Sequence, residues 1–88
     1  VDIPPETLNN TNWRAIMEYL VIYEKLAEGW SAYSPDLPGL TAEGKTLDEV
    51  KELIRGAMEL YLAGRRAHGD PIPKPSATIE YIKIDSHA

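Results

Sequence analysis

The sequence predicts an α+β domain with the element order βββαβ: a three-stranded antiparallel meander, a crossover helix, and a fourth strand parallel to the first. Three observations carry that prediction. Residues 17–25, "MEYLVIYEK", are rich in β-branched and aromatic side chains. Residues 46–69 combine an N-terminal capping pattern, an apolar stripe and a glycine stop. Residues 77–84, "ATIEYIKI", alternate and are again β-rich. At 88 residues there is material for one domain, with a core near the lower limit for independent stability.

The elements follow in order. Residues 1–16 hold two adjacent prolines and a polar run, "ETLNNTN", and read as an arm that orders only by docking. In a strand over 17–25, Met17, Tyr19, Val21 and Tyr23 share one face, and Leu20 and Ile22 the other. Apolar residues on both faces predict a central strand. The rival is a helix over residues 12–27, because Trp13, Ile16, Met17 and Leu20 also fit helical spacing. "LAEG" then reads as a hairpin loop ending at Gly29, with residues 30–34, "WSAYS", returning as the second strand.

The stretch "SPDLPGL" that follows is a shaped turn. Pro38 pre-sets the dihedral of the second position of a type II turn over residues 37–40, and Gly39 supplies the positive φ of the third. Pro35 has no backbone donor and ends the preceding strand. Residues 40–45, "LTAEGK", fit a short third strand. The helix starts with Thr46 as N-cap, Glu49 completing a capping box and Asp48 adding first-turn negative charge. Leu47, Val50, Ile54, Ala57 and Tyr61 form its apolar stripe, broadened by Leu53 and Leu60. Arg65, Arg66 and His68 suit its negative end, and Gly69 followed by "DPIPKP" stops it. Gly56 lies inside this helix, where glycine costs about 1 kcal/mol relative to alanine, so a close backbone contact is expected there. A tail, residues 85–88, closes the chain.

Composition narrows the function classes. The formal charge is -5, from 14 acidic and 9 basic residues, a poor match to the phosphates that dominate nucleic-acid affinity and a better one to a basic protein. With no cysteine there is no disulfide framework, CxxC pair or thiolate metal site, and a reducing, cytoplasmic setting is the expectation. No apolar run approaches the roughly 20 residues needed to cross a bilayer. His68 and His87 lack a supporting cluster for metal, and no GxSxG or Gly-rich phosphate loop occurs. A two-metal nuclease needs converging carboxylates, whereas Glu18, Glu24 and Glu80 are scattered. We therefore expect no enzymatic activity, no cofactor and no metal.

Taken together, "YLVIYEK", the "SPDLPGL" turn, the "AEGKTLDEV" start of the helix and the "GDPIP" exit resemble the HicB-like antitoxin family, over residues 17–84. The resemblance implies a partial RNase H-like fold. It also implies a role as the antitoxin half of a type II toxin–antitoxin pair, covering the active site of a small basic, HicA-like ribonuclease. Many such proteins carry a C-terminal DNA-binding segment. This chain departs there after Ile84, so direct nucleic-acid binding is not expected, and residues 1–16 fall outside the family pattern.

The candidate partner-binding residues are Trp30, Tyr33, Asp36, Leu37, Pro38, Gly39 and Glu43. Each has a plainer reading: Asp36 as a turn-capping carboxylate bonding nearby amides, Trp30, Tyr33 and Leu37 as packing, and Glu43, with Asp48, Glu49 and Glu52, as a solvated face. Aromatic residues dominate interface hot spots, and the acidic group suits a lysine- and arginine-rich partner. Exposed sheet edges also predict a homodimer or tetramer. The alternative function is accordingly a self-assembling regulatory or structural domain without a toxin.

Overall fold

The computed structural model describes residues 16–86. The expected arm (except Ile16), Trp13 and His87 lie outside the described residues. Among the described residues three strands and one helix form: β1 (Ile22–Leu26), β2 (Gly29–Tyr33), β3 (Thr41–Gly44) and α1 (Leu47–His68). The strands make an antiparallel sheet in the order β1-β2-β3. Residues 16–27 are not helical, so the β-branched and aromatic content of this stretch prevails over its helical spacing. The first strand begins only at Ile22, however, and it is an edge strand rather than a central one.

The β1–β2 hairpin turns in two residues, Ala27 and Glu28, between the paired Leu26 and Gly29. Gly29 is required here twice over. Its φ of 123° is in the region that side chains avoid, and a Cβ would lie 2.5 Å from the Gly44 carbonyl oxygen on β3.

Directly paired residues share a sheet face. Tyr23, Ala32 and Ala42 stand in one row across the sheet, on the side covered by α1. There Ala32, Val50 and Ile54 form the buried cluster, with Val21, Tyr23, Trp30, Ala42, Leu47 and Met58 packed around it. Two other rows, Ile22–Tyr33–Thr41 and Glu24–Ser31–Glu43, lie on the opposite face, which α1 leaves open.

Helix α1 begins as its sequence predicts. The Thr46 hydroxyl accepts the Glu49 amide, and the Glu49 carboxylate accepts the amide of Lys45, one residue earlier than in the standard box. It ends in a Schellman motif, with the Gly69 and Asp70 amides donating to the Arg66 and Arg65 carbonyls. The Arg65 guanidinium sits over the Tyr61 ring, donates to its hydroxyl and to the Pro71 carbonyl, and so ties the exit to the last turns. The apolar stripe needs one correction. Val50 and Ile54 are buried, but Leu53 and Leu60 are 46% and 75% exposed, and the stripe widens toward Met58 and Leu62 instead.

The expected fourth strand is absent from the described residues. Positions 70–86 have no regular secondary structure, and Ile79, Tyr81, Ile82 and Ile84 are 59–93% exposed. Alternation marks a segment able to enter a sheet, but a strand exists only where a ladder accepts its backbone groups. No parallel pairing with β1 forms.

Gly56 is also corrected. It is exposed, and nothing lies within 4 Å of a Cβ built there. Gly56→Ala is therefore expected to raise the unfolding free energy by about 0.5–1 kcal/mol, measured by urea denaturation; a loss of stability would reveal a close neighbour.

Candidate functional site

The "SPDLPGL" stretch folds as two successive turns. The Leu37 amide donates to the Ser34 carbonyl at 3.1 Å, and the Leu40 amide to the Leu37 carbonyl at 3.3 Å. Pro35 and Pro38 each occupy the second position of a turn, where their fixed φ belongs. Gly39, with φ of 85°, fills the third position of the second turn as expected. A Cβ there would meet nothing within 4 Å, so the demand for glycine is purely a backbone one.

These turns aim some side chains inward and others outward. Leu37 is fully buried, Ser34 and Asp36 are buried beside it, and Pro38 and Gly39 face solvent. The Ser34 hydroxyl has no hydrogen-bond partner among the described residues.

Asp36 does more than cap its own turn. Its Oδ1 accepts the Ser76 amide at 2.9 Å, the Ala77 amide at 3.0 Å and the Ser76 hydroxyl at 3.4 Å. Its Oδ2 accepts a longer bond, 3.5 Å, from the Leu20 amide. The expectation of local bonding is thus replaced by a clasp between segments 16 and 40 positions away. The Ser76 amide, more than any other group, holds the Asp36 carboxyl below the usual carboxylate range; burial opposes it, and the Ala77 and Leu20 amides and the Ser76 hydroxyl reinforce it. A second tie lies alongside, where the Tyr19 hydroxyl donates to the Pro73 carbonyl at 2.6 Å.

The remaining candidates divide between the two sheet faces. Trp30 is half-buried on the helix side, with the Lys25 ammonium 5.7 Å from its ring centroid. Tyr33 and Glu43 stand exposed on the open side. The register brings Glu24 into the row of Glu43, with Ser31 between them, and Ile22 beside Tyr33. Glu24 and Ile22 were not among the sequence candidates; counting back from the two-residue hairpin would have placed them here. Asp48, Glu49 and Glu52 are exposed on the first turns of α1.

On the other side of the sheet a groove of about 720 Å³ separates α1 from the residues leading into β1. Met17, Tyr19, Val21 and Tyr23, with Glu18, line one wall, and Ile54, Met58 and Leu62 line the other together with the charged Lys51, Glu52, Arg55, Glu59 and Arg66. Among the described residues, no three histidine or acidic side chains group so as to hold a metal ion, and no helix is long and apolar enough to cross a membrane.

Among the described residues this architecture defines a class: a small α+β domain in which one helix covers one face of a three-stranded meander, and a proline–glycine turn clasps the stretch before β1 and the stretch after the helix. The chain belongs to the UPF0150 protein family. It is 33% identical over 72 residues to a UPF0150 protein of Synechocystis, matching 81% of this chain and 91% of that one. A second UPF0150 protein of Synechocystis is 35% identical over 69 residues, covering 78% and 94% of the two chains. One from Thermoplasma acidophilum is 34% identical over 62 residues, covering 69% and 90%. No family model matches the chain.

Two substitutions test the turn. Asp36→Asn is expected to lower the urea midpoint at pH 7, because a neutral amide is a weaker acceptor for the three amides. The lowered carboxyl pKa adds stability above the unfolded-state value and loses it as pH falls through the folded-state value. Wild-type stability should therefore drop below about pH 4, and the Asn variant should drop less; identical acid profiles would remove the clasp. Gly39→Val should lower the thermal midpoint by forcing a β-branched residue to positive φ, whereas an unchanged midpoint would refute the turn geometry.

Proposed function

We propose that this protein is a protein-binding module of the antitoxin kind, which neutralises a small basic ribonuclease by covering its active site and performs no reaction itself. The observation that carries the reading is the open sheet face. Tyr33 and Ile22 form an apolar row there, and Glu24 and Glu43 run beside it. An aromatic anchor flanked by carboxylates suits a partner rich in lysine and arginine, and the formal charge of -5 steers such a partner toward it.

The HicB-like character of the "SPDLPGL" turn and of the capped helix supports the same reading. In it, Pro38 and Gly39 add a rigid rim at one end of the strands, while Asp36 and Leu37 act from within by holding that rim in place. Trp30 stands on the helix side and contributes through packing. The self-assembling alternative draws on a different observation, the unpaired edge of β1 and the exposed segment 77–84. The two readings use different surfaces.

The test is to look for a small basic protein encoded beside this one and to titrate it calorimetrically against this chain, together with an RNA-cleavage assay; a neighbourhood without such a gene would also count against the proposal. Saturable binding and loss of cleavage are expected. The doubly charge-reversed variant Glu24→Lys/Glu43→Lys should bind at least 10-fold more weakly while keeping its fold, about 1.4 kcal/mol or more. Absence of binding heat together with unimpeded cleavage would refute the proposal.

A further inference from the structure

Two unmet halves of one interaction lie on this chain. One is the outer edge of β1, whose backbone groups face no neighbouring strand among the described residues, above the groove between α1 and the Met17–Tyr23 wall. A free edge of this kind is a template for another strand. The other is segment 77–84, which has strand composition, no ladder, and Ile79, Tyr81, Ile82 and Ile84 largely in solvent. Fully extended, its eight residues span about 26 Å, ample to cover a five-residue strand.

The departure of this segment is fixed rather than loose. Pro71, Pro73 and Pro75 alternate through the connection, so each intervening residue is held extended and a tight reversal is disfavoured. The Tyr19 hydroxyl and the Asp36 carboxylate then grip Pro73, Ser76 and Ala77. Beyond that grip the segment leaves its own groove unfilled. A connection held extended keeps the terminal element from folding back onto its own chain, and an exchange between identical chains closes with two-fold symmetry because each copy both donates and receives.

We propose that residues 77–84 form the fourth strand of a second copy's sheet, laid along that copy's β1 edge with apolar side chains entering the groove beneath α1, the donation being reciprocal. The exchange leaves free the open face that carries Tyr33 and Glu43, so it stands whether or not that face binds a ribonuclease. It also gives the βββαβ pattern of the sequence a place in the dimer, completed between chains instead of within one. The occupant of the groove is a second copy, because the same chain supplies both the empty site and the unpaired strand.

The full chain is tested in two ways. Sedimentation equilibrium should give the mass of two chains, and Ile82→Asp/Ile84→Asp should return the mass of one with the helical circular dichroism retained. In an equal mixture of isotope-labelled and unlabelled chains, filtered NMR spectra should show contacts from the Ile82 and Ile84 methyls to Val21 and Tyr23 between different chains. A single-chain mass at millimolar concentration would overturn the exchange, as would contacts found only within one chain. A dimer that survives the double substitution, or that lacks these inter-chain contacts, would also overturn it.

Discussion

The Asp36 carboxylate is the joint on which the architecture depends. Among the described residues few large side chains are buried: Leu37, Val50 and Ile54 are the largest that are fully enclosed. Apolar burial alone is then a thin source of stability. Charge-assisted hydrogen bonds to backbone amides are stronger than neutral ones, and Asp36 directs its bonds to three amides in two distant segments. Through them the turn fixes both the approach to β1 and the exit of the segment after the helix. The buried Leu37 next to it seats the turn on the body, and the two prolines fix the backbone that presents the carboxylate.

Much of this was legible in the residues, and the legible parts share a reason. The capping Thr46, the Gly69 stop, the Leu37–Leu40 turn and a hairpin within "LAEG", whose loop is two residues shorter than expected because Leu26 and Gly29 pair, are all governed by chain-local chemistry. What escaped is non-local. The reach of Asp36 to Ser76 and Ala77 spans 40 and 41 positions, and nothing in "SPDLPGL" names its distant partners. The exposure of Leu53 and Leu60 and the edge position of β1 depend on where the helix lies across the sheet, which periodicity alone leaves free.

The candidate surface divides along the same line. Trp30 and Tyr33 are three positions apart on one strand and therefore face opposite ways, a consequence of the two-residue side-chain period. Grouping them as one anchor patch ignored that parity. Applying it separates a packing residue from a surface residue and brings Glu24 and Ile22 to the side of Glu43 and Tyr33. Of the residues named for a partner surface, Tyr33 and Glu43 thus stand on the open face, while Trp30 lies on the helix side and Asp48, Glu49 and Glu52 lie on α1.

A three-stranded sheet has two faces and two edges, and one helix can protect only part of that perimeter. Here α1 covers the face of Ala32 and Ala42 and leaves the Tyr33 face and the β1 edge outside its reach. Evolution manages such exposed edges by covering, twisting or charging them. Lys25 and Glu24 supply charge at β1, but the strand-forming segment after Ala77 is a more complete cover, since it alone brings both backbone groups and apolar side chains. The proposed second copy at the edge and the proposed basic partner on the open face would make separate demands on this small sheet. The meander can meet both because cross-strand pairing assigns them to different atoms: main-chain amides at the rim for one, side chains on the pleat for the other.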